Sequence, residues 1–152
     1  MAPGFFQITL KVFLVNADRD LLVLRDAKQQ CGDLPGGRLD PGEIYQPFTR
    51  SIERELREEL GTRWKYRLID TQQPCFVFPH FIQESDSEAL GLAFRAEYLS
   101  GDLTLSDEHD RMEWVSLSDY DPRGYFPAYL VDAVLEFQKS YASGLRNGYE
   151  AD

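Results

Sequence analysis

The sequence is poor in positive charge. Lys and Arg together number 16 against 26 Asp and Glu over 152 residues, a formal net charge of −10. Such an acidic surface repels the phosphates of polymeric nucleic acid and the headgroups of anionic membranes, so neither is an expected partner. Cysteine is nearly absent. Cys31 and Cys75 stand at no metal-ligand spacing and make no disulfide framework, which points to free thiols in a reducing cytoplasm. Long apolar runs are missing as well: residues 5–15 are interrupted by Gln7, Thr9 and Lys11, with no small-residue cleavage site after them, so no secretory or membrane-spanning segment is expected. Histidine is limited to His80 and His109, which read as surface or packing residues. There is no internal repeat, linker or low-complexity stretch. With 43% hydrophobic and 28% charged residues, the chain reads as one ordinary globular domain over residues 1–152.

What is present concentrates between Leu34 and Thr62. Residues 47–60 are expected to form a helix in which Phe48, Ile52, Leu56 and Leu60 make an apolar stripe, bordered by Glu55, Glu58 and Glu59. Glu55 and Glu59 are like charges four residues apart, and Glu58 and Glu59 crowd the C-terminal end, where the helix dipole disfavours anions. Such an arrangement needs compensation. Glutamates three and four apart project from one face, so their oxygens can converge on a hard divalent cation. A solvated face with ordinary helix ion pairs, Glu53 with Arg57 and Arg54 with Glu58, is the plain alternative. The preceding loop favours the cation: Gly36-Gly37 permits close backbone approach, and Asp40-Pro41-Gly42 turns the chain towards Glu43 and the helix start near Pro47.

These residues resemble the Nudix hydrolase signature, G-x5-E-x7-R-E-U-x-E-E-x-G-U. Gly37 and Glu43 match its first part, and Arg54, Glu55, Leu56, Glu58, Glu59 and Gly61 match its second. Two departures stand out: ten residues separate Glu43 from Arg54, where seven are usual, and Thr62 replaces an aliphatic. The three extra residues are assigned to Ile44-Tyr45-Gln46, ahead of the helix. The resemblance implies hydrolysis of a pyrophosphate bond in a nucleoside diphosphate derivative, such as a nucleotide sugar, or in a nucleoside triphosphate. It implies Mg²⁺ or Mn²⁺ held by Glu55, Glu58 and Glu59 with the Gly37 carbonyl, the ions reversing the local charge and activating the attacking water. Glu43 would brace Arg54, and Glu108 is the leading general base outside the helix. A homodimer is in keeping with the family, and a catalytically silent nucleotide-sensing or protein-interaction domain is the alternative. Arg25, Arg38 and Arg95 are candidates for phosphate or sugar contacts, and Phe76, Phe78, Phe81, Tyr98 and Phe126 for stacking on a base, although alternating aromatics in strands usually pack in cores.

Elsewhere, residues 7–16 and 21–25 read as a hairpin, and residues 64–71, 76–78, 89–99 and 112–117 as strands. Residues 79–88 and 105–110 read as loops. A second helix is expected over residues 127–143, stopped by Gly144, with a frayed tail at residues 147–152. Strands before and after one helix, with another at the end, give the α+β class. The family resemblance makes it an α/β/α sandwich around a mixed β-sheet.

Overall fold

The computed structural model describes residues 1–146, so the expected tail at residues 147–152 lies outside the described part. Along it run β1 (Gln7–Val15), β2 (Asp20–Asp26), β3 (Gly32–Asp33), β4 (Gly36–Arg38), α1 (Phe48–Leu60), β5 (Trp64–Ile69), β6 (Phe76–Ile82), β7 (Ser87–Gly101), β8 (His109–Ser116) and α2 (Ala128–Arg146). Short 3-10 turns occupy Glu43–Tyr45 and Gln83–Ser85.

The sheet is mixed because its two central strands run parallel. β1 lies beside β7 over its whole length, from Gln7 opposite Ala89 to Val15 opposite Glu97. The far edge of β1 is shared by β4, at Thr9 to Lys11, and by β2, at Val15. The far edge of β7 is shared by β6 near its start and β5 near its end. β2 parts from β1 after one pair and runs instead along β8. This divergence opens a cleft between β2 and β4, and the candidate residues described below line it.

Period-two alternation along β1 sends its side chains to opposite layers. Leu10, Val12 and Leu14 pack with Ile52, Leu56 and Leu60 of α1, whereas Phe13 and Val15 pack with Leu130, Ala133, Val134 and Phe137 of α2. Phe13 stacks on Phe137 with ring centroids 4.1 Å apart. Each fully buried Leu contributes about 1.5–3 kcal/mol. The α/β/α sandwich therefore follows from two faces of one sheet, each covered by one helix.

Three boundaries differ from the sequence expectation. Residues 79–88 are not a loop: β6 continues through Pro79 to Ile82, and β7 begins at Ser87. Pro79 is tolerated because β6 pairs only with β7, which leaves its other edge without a ladder to break. β8 starts at His109, inside the expected acidic loop, where a bulge at Arg25/Asp26 lets it keep pairing with β2. α2 passes through Gly144 to Arg146, since a glycine weakens a helix by about 1 kcal/mol without ending it.

Candidate functional site

α1 begins at Phe48, immediately after Pro47, and ends at Leu60, with Gly61 at φ 80°. Its apolar stripe fixes its rotation: Ile52, Leu56 and Leu60 are at most 1% exposed. That rotation carries Glu55 and Glu59 inward, to 7% and 2% exposure, and leaves Glu58 at the cleft rim.

The glycine pair completes this wall. Gly36 has φ 135°, and a Cβ there would lie 2.0 Å from the Leu10 carbonyl oxygen, so only glycine fits beside β1. Its N–H donates to Glu59 Oε2 at 2.9 Å. Gly37 faces Glu55 so closely that a Cβ would stand 2.6 Å from Oε1. Glu59, Glu55 and the Gly36-Gly37 backbone thus meet at one end of the cleft.

Arg54 ties the remaining acids to them. Its Nε and one terminal nitrogen donate to Glu43 at 2.7 and 2.9 Å, while the other donates to Glu55 at 2.9 Å and Glu58 at 3.2 Å. The Arg54 fork on Glu43 holds that carboxyl down at about 2. The Glu43–Tyr45 turn leaves Ile44 and Tyr45 exposed while Glu43 reaches back to Arg54. Burial raises the Glu55 carboxyl, with Arg54 acting in the opposite direction. Burial pushes Glu59 further, up to about 8, against the charge of Lys11 and the Gly36 N–H.

Glu108 arrives from the other side. Its loop is docked on the end of α1, where the N–H groups of Thr104 and Ser106 donate to the carbonyls of Leu60 and Glu59 at 3.0 and 3.1 Å. Those carbonyls are among the four that a helix end leaves unsatisfied. Carboxylate oxygens of Glu59 and Glu108 and a ring nitrogen of His109 all lie within 4.8 Å of one another.

Behind these groups is a buried polar chain that sequence reasoning missed. Lys11 Nζ donates to Asp33 Oδ1 at 2.7 Å and to the Leu34 carbonyl at 3.2 Å, and Asp33 Oδ2 stands 3.0 Å from His109 Nε2. Burial works against the Lys11 ammonium, but Asp33 outweighs it and the net shift is upward. Burial equally opposes the Asp33 carboxylate, yet Lys11 and His109 hold that carboxyl below the usual range. His109, taken from sequence as a surface or packing residue, is 5% exposed and belongs to this chain. The available signal was Lys11 itself, a cation on the inward phase of an apolar strand, which demands a buried partner.

The cleft has a volume of about 860 Å³. Lys11, Lys28, Arg38 and Arg54 supply its positive charge, and His80 and Phe81 line one wall. His80 stacks on Tyr129, with centroids 4.7 Å apart. The other aromatic and arginine candidates are distributed differently. Phe78 and Phe126 are core residues, Arg25 pairs with Asp110 at 2.7 Å, and Arg95 lines a separate cavity of about 250 Å³ against Tyr141.

Comparison with known proteins agrees with this architecture. The chain resembles a MutT protein from Methanosarcina mazei Go1, with TM-score 0.74 and 22% identity over 93% of this chain and 99% of that one. It also resembles a Caenorhabditis elegans Ap4A hydrolase, with TM-score 0.71 and 17% identity over 90% of this chain and 98% of that one. A UDP-X diphosphatase aligns with TM-score 0.66 and 17% identity over 95% of this chain and 66% of that one. At such identities the likeness is one of fold. No curated protein matches the sequence. Among the described residues, no helix is long and apolar enough to cross a membrane. The NUDIX domain model matches residues 6–133, most of the chain, and on that match the protein belongs to the NUDIX family of pyrophosphohydrolases.

Proposed function

We propose that the protein hydrolyses a pyrophosphate bond in a small nucleotide, either a nucleoside diphosphate derivative or a nucleoside triphosphate, with a divalent cation. The observation that carries this reading is the meeting of Glu55, Glu59 and Gly37 with Glu108 in one cleft, reached from two separate chain segments. The donor set fits Mg²⁺ or Mn²⁺, because carboxylate oxygens and a backbone carbonyl are the ligands such ions prefer. Burial of Glu59 supports the same fit: a carboxyl pushed up to about 8 is poorly stabilised as an anion until a cation joins it. Glu55, Glu58 and Glu59, with the Gly37 carbonyl, would hold the ion, which when bound offsets the charge of the diphosphate and polarises its phosphorus–oxygen bonds.

The remaining steps fall to the chain's own groups. Arg54 orients Glu55 and Glu58 and is itself held by Glu43, so its role is positioning. Lys28 and Arg38, on the open side of the cleft, meet the phosphates. The base lies along His80 and Phe81. Glu108 takes the proton from water as it attacks phosphorus, being an acid of the cleft that Arg54 does not engage. The Ap4A and UDP-X specificities of similarly folded proteins support a nucleotide with two or more phosphates. Free Cys31 and Cys75 support a reducing compartment such as the cytoplasm.

The test is release of phosphate or nucleoside monophosphate from nucleotide sugars, ADP-ribose, dinucleoside polyphosphates and triphosphates, with Mg²⁺, Mn²⁺ or EDTA. Metal-dependent release from at least one member is expected. Silence across the panel, with Mg²⁺ still bound, would favour a nucleotide-sensing domain instead.

A further inference from the structure

The cleft holds a ring nitrogen that neither the fold nor the proposed chemistry uses. The His109 side chain is 2% exposed, and its Nε2 is engaged by Asp33 Oδ2 at 3.0 Å. Asp33 also accepts Lys11 Nζ at 2.7 Å, so it meets the imidazole as a carboxylate. A carboxylate has no proton to give, and the hydrogen of that bond therefore sits on Nε2. In the neutral ring this leaves the lone pair on Nδ1.

Nδ1 is buried and has no hydrogen-bond partner, one of two such side-chain atoms among the described residues. A buried polar atom left unpaired costs free energy, and the cost persists unless something joins it. The neighbours of the ring indicate what that would be. A nitrogen of this ring and carboxylate oxygens of Glu59 and Glu108 lie within 4.8 Å of one another. Two carboxylates with an imidazole whose second nitrogen is held by another carboxylate form a donor set suited to a divalent transition metal.

We propose that His109 supplies a nitrogen ligand, through Nδ1, to a divalent transition-metal ion shared with Glu59 and with one oxygen of Glu108, whose other oxygen remains to take the proton from water. The inference rests on reading the cleft as a cation site and adds a preference to it. Oxygen donors alone serve Mg²⁺ well, whereas an imidazole favours Mn²⁺ over Mg²⁺, and Co²⁺ and Zn²⁺ more strongly still. Asp33 and Lys11 then act as positioning residues that fix the tautomer and the orientation of the ring.

Pulsed electron paramagnetic resonance on Mn²⁺ bound to the full chain tests this without turnover, because a directly bonded nitrogen appears as a hyperfine coupling. The coupling is expected in the unmodified protein, should change when histidine is supplied as ¹⁵N, should survive His80→Gln and should vanish in His109→Gln. Mn²⁺ affinity should fall about tenfold or more in His109→Gln while Mg²⁺ affinity falls less than about threefold. Should His109→Gln fail to fold, the isotope effect in the unmodified chain still decides. Mn²⁺ that binds, is lost in Glu59→Gln, and shows no nitrogen coupling would overturn the ligand assignment. Metal-dependent phosphate release in that same preparation would leave the hydrolase reading standing. A coupling that survives His109→Gln would also overturn it, and absence of Mn²⁺ binding together with absence of release would remove both.

Discussion

Glu59 gives the sharpest quantitative test, because its carboxyl is 2% exposed and pushed from 4.5 up to about 8 by burial. Without metal, the folded chain keeps a proton on Glu59 in a pH range where the unfolded chain has lost it. Between about pH 4.5 and 8 the folded state therefore binds more protons, and stability must fall as pH rises. The contribution is complete below 4.5 and lost as pH passes through 8. At about 1.4 kcal/mol per pH unit, the interval from pH 5.5 to 8 corresponds to about 3 kcal/mol. Glu59→Gln removes the titration and retains an oxygen that can accept the Gly36 N–H. Urea unfolding in EDTA at both pH values should show the unmodified protein losing about 3 kcal/mol more than the variant across that interval. Saturating Mg²⁺ should abolish the difference by favouring the carboxylate. Parallel stability curves for the two proteins in EDTA would refute the reasoning.

Other perturbations probe the surrounding parts. Arg54→Ala leaves Glu43 and Glu55 without their shared cation; it should cost about 2–4 kcal/mol in urea unfolding, and a double-mutant cycle with Glu43→Gln should recover much of that as coupling energy. Glu108→Gln should slow turnover by about 10²–10⁴-fold in the phosphate-release assay, with an unchanged melting temperature. Gly36→Ala places a methyl 2.0 Å from the Leu10 carbonyl oxygen, so β4 must shift, and both stability and metal affinity should drop in calorimetry.

The helix and the glycine pair were legible from sequence because both are local. Ile52, Leu56 and Leu60 recur at helical spacing, and Gly36-Gly37 lies close enough in sequence to be linked to Glu55 by a known pattern. The Lys11–Asp33–His109 chain was not legible, since its members are 22 and 76 residues apart and meet only because β1, β3 and β8 all pair with β2. The second half of β6, Pro79 to Ile82, escaped notice for a different reason. Its burial does alternate, but Val77 and Phe81 are apolar and exposed, and Pro79 sits among them, so the period is hidden in the hydrophobicity. Lys11 shows the reverse error: read as an interruption that spoils an apolar run, it is the anchor of the buried chain.

The docking of the 102–108 loop on the end of α1 makes the two walls of the cleft unequal in how they are held. Thr104 and Ser106 donate to carbonyls of Leu60 and Glu59 that the helix itself leaves unpaired, so the segment bearing Glu108 cannot lift without breaking both hydrogen bonds. The opposite wall is held across the opening by exposed side chains alone. The β6–β7 tip, from Phe81 to Ser87, hangs from a strand paired on one side alone, and it carries Glu84 to Arg38 at 3.5 Å and to Lys28 at 3.9 Å across the opening. A few residues inserted or deleted at that tip would therefore reshape the mouth of the cleft while leaving the contacts of α1 with the 102–108 loop undisturbed.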